Sequence, residues 1–310
     1  MAIINNAHPG SQINLLCSIY RVLYRNPSKF TQEELYELCR PESLFRSPDH
    51  QKRFRENLNF WHKESRQLWD IDADQKYYLL EKHETEPNIS MISSVVYKKL
   101  FRVTETETTC DEDFLNTENK EIAPLYRTLA FILSMPTFAP PFWSENSELI
   151  TKESLDSKLG TNFQEYRLND SEKSYFLEYA HFLGFVEIQG SAGNYISDPT
   201  RVIMSILPLI FINDTILPIS EFKIRLANLV PVLDGGFYRT EVEDILTSSS
   251  NMEHKETEFS KALSHALCRL KSNGVINFPK KKDDDKNVMD FSSAHNEPSV
   301  SEIRYMREAL

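Results

Sequence analysis

Glycine is scarce in this sequence: 8 of its 310 residues are glycine, against 15 prolines. That scarcity argues against the Gly-rich phosphate loops of nucleotide-binding folds and against the many tight hairpins of an all-β fold. Hydrophobic residues nevertheless make up 40% of the chain, enough to offset the entropy of ordering the backbone. The composition therefore predicts helices joined by proline-marked loops. The length predicts more than one core, because single cores rarely grow beyond roughly 250 residues.

Paired cysteines and long apolar runs are also missing. Four cysteines are scattered along the chain: Cys17, Cys39, Cys110 and Cys268. Without a C-x-x-C pair or a histidine at zinc spacing, they predict reduced thiols rather than disulfides or structural zinc. Residues 1–10 have no basic segment followed by an apolar stretch, which argues against a secretory signal. The most apolar window, 203–212, is about half the ~20 residues that a membrane span needs. We therefore predict a cytoplasmic protein without membrane contact.

Recognised catalytic motifs are absent as well. The chain has no P-loop, no dinucleotide-binding glycine motif, no zinc-protease H-E-x-x-H and no nucleophile-elbow serine, and its eight histidines are dispersed. Carboxylates are plentiful, but no pattern marks them as metal ligands. We predict that the chain is not an enzyme and has no catalytic residues, metal or cofactor. A cryptic nuclease remains a rival hypothesis.

Charge is unevenly distributed along the chain. The net charge is −11, which works against non-specific attraction to nucleic acid for the molecule as a whole. Residues 1–83 carry +1, residues 84–198 carry −10 and residues 199–310 carry −2. A nucleic-acid surface is therefore expected outside the middle third.

The first of three similar stretches has the order of a winged helix-turn-helix. Its predicted elements are helices at 13–24, 31–39 and 50–66 and a hairpin at 68–71 and 76–80. Thr31 and Glu34 have the spacing of a helix-capping box, which marks the start of the second helix. Three helices followed by a hairpin is the winged-helix order.

Two further stretches repeat this order. The second has predicted helices at 122–135, 151–159 and 171–183 and a hairpin at 185–189 and 194–197. The third has predicted helices at 201–212, 220–230, 240–246 and 259–272, followed by a strand at 275–278. Charged residues from Lys280 onward predict a tail outside the folded body, in which 301–310 forms a short docking helix.

The predicted fold is therefore mainly α with short β-hairpin wings, built as tandem winged helix-turn-helix units. The predicted domains are an N-terminal winged-helix domain at 1–84, an acidic winged-helix-like domain at 85–198, a third such domain at 199–280 and a charged tail at 281–310.

The helix predicted at 50–66 has two distinct sides. Steps of 100° per residue place Phe54, Leu58 and Trp61 on one side. The opposite side carries a polar stripe of Lys52, Arg55, Asn59, His62 and Arg66. Such side chains suit phosphate contacts and base-edge hydrogen bonds in a major groove, so we predict that the stripe binds DNA. The alternative is a solvated face, as polar faces of surface helices usually are.

Two other features predict contacts with a partner. The helix at 171–183 is acidic and aromatic, which suits protein better than phosphate, so Tyr175 and Tyr179 are predicted to contact a partner protein. The alternative is that they are ordinary core aromatics. Gly235 and Gly236 permit positive φ in the loop 232–239, where Arg239 is predicted to contact a partner or anion. The alternative is a turn between two helices that is capped by Asp234.

The block from 197 to 243 resembles a known family. Its motifs are Ser197-Asp-Pro-Thr-Arg201, Leu207-Pro-Leu-Ile-Phe211 and Pro231-Val-Leu-Asp-Gly-Gly236 followed by Tyr238-Arg239. They resemble DpdG, a component of the bacterial Dpd gene clusters that place 7-deazaguanine derivatives in DNA. Segment 58–80 is similar to that family's first winged helix. The resemblance implies a place on the restriction side of these clusters, which acts against DNA lacking the modification, and it carries over no catalytic residues.

Together these features predict a non-catalytic, DNA-binding adaptor subunit of a bacterial DNA-defence assembly of the restriction type. Its expected partners are the protein subunits of a multi-component complex and double-stranded DNA, with the first unit closest to DNA. The rival hypothesis from another class is a stand-alone winged-helix transcriptional regulator. Such a regulator would dimerise and bind palindromic half-sites.

Overall fold

A computed structural model describes residues 2–40, 47–115, 121–134, 168, 170–189, 194–249, 258–279 and 299–306 of the chain. Within these ranges the protein is mainly helical, with ten α-helices and small antiparallel sheets, as the sequence predicts. No helix in the described residues is both long and apolar enough to cross a membrane.

The first unit begins with three helices and a hairpin. Its elements are α1 (Ile13–Arg25), α2 (Gln32–Cys39), α3 (Pro48–His62), β1 (Trp69–Ile71) and β2 (Tyr77–Leu79). In α1, Leu16, Ile19 and Leu23 are buried at spacings of three and four residues, which is why this face packs inward. The predicted capping box of α2 is confirmed, because the Thr31 backbone N–H donates to the Glu34 carboxylate at 2.8 Å.

The connection between α1 and α2 ties the hairpin to the helices. The backbone N–H of Ser28 donates to the carbonyl of Tyr77 at 3.1 Å, and the N–H of Tyr77 donates to the carbonyl of Phe30 at 3.1 Å. The segment between the two helices thus lies along β2. Hairpin and helices form one packed unit.

The N-terminal residues link the first unit to the second. Ala2, Ile3 and Ile4 are fully buried, and the N–H of Ile3 donates to the carbonyl of Glu121 at 2.7 Å. Farther along, the carbonyl of Pro9 accepts a hydrogen bond from the side-chain amide of Asn57 at 2.7 Å. The N-terminal segment therefore contacts both α3 and Glu121, which lies just before the helix that begins at Ala123.

The second unit contains α4 (Ile89–Leu100), α5 (Ala123–Ser134) and α6 (Asp170–Phe182), followed by the hairpin β3 (Val186–Gln189) and β4 (Asn194–Ser197). Helix α4 was not predicted from the sequence, although Asn88 caps it by accepting from the N–H of Met91 at 2.9 Å. Every residue of α5 is buried. The helix predicted at 151–159 lies outside the described residues.

The third unit contains four helices and three short strands in the described residues. Its elements are α7 (Thr200–Ile210), β5 (Ile216–Pro218), α8 (Ile219–Leu229), α9 (Phe237–Ser249), α10 (Lys261–Ser272), β6 (Ile276–Asn277) and β7 (Glu302–Tyr305). The three strands form one antiparallel sheet in the order β5-β7-β6. In this sheet Leu217 lies opposite Ile303, and Ile276 lies opposite Tyr305.

The strand β7 corrects the prediction for the end of the chain. Residues 302–305 form a strand in the sheet rather than part of a docking helix outside the fold. The reason is burial with a period of two: Ile303 and Tyr305 are buried, whereas Arg304 between them is exposed. Tyr305 packs on the ring of Phe211 at 5.4 Å between centroids.

A buried carboxylate joins the second unit to the third. Asp198, which follows β4, is fully buried and accepts hydrogen bonds from the backbone N–H of Thr200 at 3.0 Å, from the Thr200 hydroxyl and from Arg269. Nε2 of His265 lies 3.4 Å from the same carboxylate. Burial raises the pKa of Asp198, but the hydrogen bonds from His265 and Thr200 and the charge of Arg269 outweigh it and lower the pKa to about 2. This cluster explains why Asp and Thr follow the hairpin in the Ser197–Arg201 motif.

Candidate nucleic-acid interface

Helix α3 is defined by a cap at its start and by apolar residues along one side. The Ser47 hydroxyl accepts a hydrogen bond from the N–H of His50 at 3.2 Å, and Pro48 occupies the first turn, where a missing N–H has no cost. Phe54, Leu58 and Trp61 are buried, as their phasing predicts. The helix is therefore fixed in rotation, which determines the residues that face solvent.

The exposed side of α3 contains three of the five predicted stripe residues. Lys52, Arg55 and Asn59 are exposed and lie at the predicted phase. The Lys52 ammonium is 3.9 Å from the Glu56 carboxylate, an exposed pair that holds it only weakly. The structure thus brings together one guanidinium, one ammonium and one amide on a solvent-facing surface.

His62 lies at the edge of this surface. It is half-buried, and its Nδ1 is 3.1 Å from the carbonyl oxygen of Trp69 and 3.6 Å from the Asp70 carboxylate. The ring is therefore held against β1. Only its outer edge remains available to a ligand.

Arg66 is not part of the stripe, contrary to the prediction. Helix α3 ends at His62, and Arg66 belongs to a separate 3₁₀ turn, Glu64–Arg66. The side chain is 6% exposed: its guanidinium lies over the Phe60 ring at 3.9 Å and pairs with Glu121 at 3.1 Å. A buried guanidinium needs an ionic or aromatic partner, and the partners of Arg66, Phe60 and Glu121, are not on the side of α3 that carries the stripe. Arg66 therefore positions residue 121 against the first unit.

Tyr179 also differs from its predicted role. It is 1% exposed and donates a hydrogen bond to the carbonyl of Gly10, and burial raises the pKa of its hydroxyl well above the ordinary value. It is a core aromatic, the alternative considered for it. Tyr175, one turn earlier on α6, is half-buried at the edge of a cleft between α6 and the first unit.

Arg239 lies inside the fold rather than on the surface, contrary to the prediction. It is 1% exposed, and its Nε donates to the Glu243 carboxylate at 2.5 Å. The preceding loop is a turn between α8 and α9, in which Asp234 accepts from the N–H and the hydroxyl of Ser260 at 2.6 Å each. Gly236 is required there, because a Cβ would lie 2.6 Å from the Pro231 backbone.

One cation on α3 was overlooked in the sequence. Arg53 is exposed and lies on the side of α3 that faces the cleft, with His50 one turn before it. Helical phasing places Arg53 outside the stripe, and the same phasing could have identified it as an exposed cation on another side of α3. Within the described ranges no group of three or more His, Cys, Asp or Glu residues has the geometry to hold a metal ion. All four cysteines are thiols.

The model of a family described as DpdG-like matches residues 1–284. No curated protein and no solved structure matches the chain.

Proposed function

Because the chain belongs to the DpdG-like family, we propose that it is a non-catalytic, DNA-binding adaptor subunit of a bacterial DNA-defence assembly. In this proposal the first unit contacts double-stranded DNA and the acidic middle of the chain contacts other protein subunits. The family membership supports the defence context. The DNA contact is supported by the geometry of α3.

The observation that carries the proposal is the exposed face of α3. Lys52, Arg55 and Asn59 face solvent on a helix that buried aromatics hold in place and that a hairpin follows. In winged helix-turn-helix proteins this position belongs to the helix that enters the major groove. Arginine and asparagine are suited to bidentate contacts with guanine and adenine, and lysine is suited to phosphate.

The proposed winged-helix arrangement draws support from two places in the chain. In the first unit the segment before α2 bonds along β2, which gives the hairpin a third neighbour. In the third unit the strand β5 lies between α7 and α8 and pairs with a strand that follows the last helix. Both units thus combine a helical body with a small antiparallel sheet, as winged domains do.

The adaptor role follows from the charge of the middle of the chain. Residues 84–198 carry a net charge of −10, which repels the phosphate backbone of duplex DNA. A negatively charged surface is better suited to contact the basic surfaces of partner proteins. The proposal therefore divides DNA contact and subunit contact between two parts of one chain.

A salt-dependence measurement tests the DNA contact. The full chain is titrated with a DNA duplex at several salt concentrations. The test variant carries Lys52→Ala and Arg55→Ala. The control variant carries Lys82→Ala and Arg304→Ala, which remove the same charge from exposed positions elsewhere. The α3 variant should bind more weakly and show a slope of log K against log salt that is smaller by about 0.9 per lost phosphate contact. Stability should change by no more than about 0.5 kcal/mol.

Two results would contradict the proposal. An unchanged affinity and salt slope in the α3 variant would make this face an ordinary solvated surface. Metal-dependent DNA cleavage or ATP hydrolysis by the purified chain, abolished by one carboxylate substitution, would show that the subunit is catalytic.

A further inference from the structure

One flank of helix α3 is free along the first half of the helix and covered along the second. Arg53 and Phe60 lie two turns apart at nearly the same angle around the helix axis. Arg53 is exposed, and the cleft beside it leaves open space next to its guanidinium. Phe60 is buried, because the ring of His8 lies 4.9 Å and the Arg66 guanidinium 3.9 Å from its ring centroid. The N-terminal segment therefore closes this flank at Phe60 but not at Arg53.

The other flank of α3 shows the same division. Arg55 and His62 also lie two turns apart at nearly the same angle. Arg55 is exposed, whereas His62 is half-buried and its Nδ1 lies 3.1 Å from the carbonyl oxygen of Trp69 on β1. The hairpin therefore closes this flank at His62 but not at Arg55. Within the described residues, the first half of α3 is thus free on both flanks.

Two arginines occupy the two free flanks. At about 100° per residue, Arg53 and Arg55 are separated by roughly 160° across the exposed face of α3, with Lys52 between them. Neither guanidinium forms an ion pair or a hydrogen bond within the described residues, so both charges are available to a ligand.

The spacing of these flanks suits the major groove of DNA. A helix with its side chains is about 10 to 12 Å across, and the major groove of B-form DNA is about 12 Å wide. The two flanks of an inserted helix therefore face the two phosphate backbones that border the groove. A cation on each flank is placed to contact one strand each.

The hairpin of the first unit carries charge of the opposite sign. Residues 69–79 contain three aspartates, Asp70, Asp72 and Asp74, and one cation, Lys76, which gives a net charge of −2. The Asp72 carboxylate accepts from the backbone N–H groups of Lys76 and Asp74 at 2.9 Å each, and these hydrogen bonds lower its pKa. The hairpin therefore repels the phosphate backbone of a duplex.

Resting on the proposed duplex contact, we propose that α3 enters the major groove with its first half alone and contacts both strands. Arg53 contacts a phosphate of one strand, and Arg55 contacts a phosphate of the other. The acidic hairpin stays off the duplex. Arg53, which lies outside the stripe, is therefore a second-strand contact that determines how α3 lies in the groove.

Salt-dependent titration of the full chain with a DNA duplex tests this arrangement. Arg53→Ala should lower the slope of log K against log salt by about 0.9 and weaken binding by roughly fivefold to tenfold at about 0.1 M salt, as one lost phosphate contact does. Arg53→Lys keeps the charge and should keep the slope. The control Lys76→Ala removes one charge from the hairpin and should leave the slope unchanged.

A double variant tests whether the two arginines contact separate phosphates. In that arrangement the slope losses of Arg53→Ala and Arg55→Ala should add in the variant that carries both changes. If the two side chains shared one phosphate, the double variant would lose no more slope than either single variant.

An RNA duplex of the same sequence separates insertion into the groove from attraction to the surface of the duplex. The major groove of A-form RNA is deep and narrow, so a helix cannot enter it as it enters B-form DNA. The full chain should therefore bind the RNA duplex at least tenfold more weakly than the DNA duplex.

Four results would overturn the proposal. An unchanged salt slope in Arg53→Ala would do so even if Lys52→Ala with Arg55→Ala weakens binding, and the duplex contact itself would then stand. A loss of slope in Lys76→Ala as large as that in Arg53→Ala would place the hairpin on the duplex. Equal affinity for the DNA and RNA duplexes would show that α3 stays outside the groove. A full chain that does not bind duplex DNA would contradict both this proposal and the proposed function.

Discussion

Substituting Asp198 by asparagine tests the buried cluster that joins the second and third units. The carboxylate accepts from Thr200 and from Arg269, and the change to an amide keeps its size while removing its charge. The amide nitrogen would also face donors, because Thr200 and Arg269 both point hydrogen atoms at this position. The variant therefore loses an ionic interaction and leaves a buried donor without an acceptor.

The magnitude follows from the pKa of Asp198. Its pKa of about 2 lies below the ordinary value of 3.8, a difference of nearly two units. At 1.36 kcal/mol per unit, the ionised form stabilises the folded state by about 2 kcal/mol. Because the folded pKa is lowered, this contribution is complete above pH 3.8 and is lost as the pH falls through about 2. Asp198→Asn should thus cost at least about 2 kcal/mol at pH 7.

Urea denaturation of both proteins, followed by circular dichroism, measures this difference. The gap in unfolding free energy between wild type and Asp198→Asn should narrow as the pH falls below 3.8 and approaches 2. Thr200→Val, which removes one donor and keeps the charge, should cost less, roughly 1 kcal/mol. A variant as stable as the wild type at pH 7, or a gap that widens between pH 3.8 and pH 2, would refute the reasoning.

Two further predictions concern residues that the fold requires. Arg66→Ala should destabilise the protein by roughly 2 to 4 kcal/mol, because the buried guanidinium lies on the Phe60 ring and its removal leaves a cavity. Thermal unfolding measures this loss of stability, and a change under about 0.5 kcal/mol would contradict the buried placement of Arg66. Gly236→Ala should destabilise the third unit strongly, because the new Cβ would lie 2.6 Å from the Pro231 backbone. Gly274→Ala should cost only about 1 kcal/mol, because its Cβ would meet nothing within 4 Å and the cost comes from the φ of +72° alone. Equal losses in the two glycine variants would argue against the close approach.

Local signals in the sequence predicted most helices within a few residues. The buried face of α1 and the capping box at Thr31 and Glu34 depend on neighbours no more than four residues away, which is the range that such patterns describe. The exposure of Lys52 and Arg55 follows in the same way, because the burial of Trp61 fixes the rotation of α3 about its axis. Features of this kind can be deduced from spacing alone.

Features that depend on distant partners could not be deduced in this way. The end of α3 has no glycine or proline signal, and the turn that follows it is held by the contacts of Arg66 with Phe60 and Glu121. Tyr179 looked like a surface residue because nothing local shows that the N-terminal segment covers it. Strand β7 was missed because its pairing partners lie far away along the chain.

The position of β7 in its sheet also bears on synthesis of the protein. Strands β5 and β6 are each completed by residues 302–305, and 24 residues separate the end of β6 from the start of β7. At roughly 5 to 20 residues per second, the ribosome needs on the order of 1 to 5 s to make that stretch. Until residues 302–305 are in place, β5 and β6 lack the strand between them, and the buried side chains of Ile303 and Tyr305 are missing from this part of the core. A nascent chain stalled before residue 302 should therefore be a preferred client of chaperones, and a truncation there should yield insoluble protein rather than a shorter soluble one.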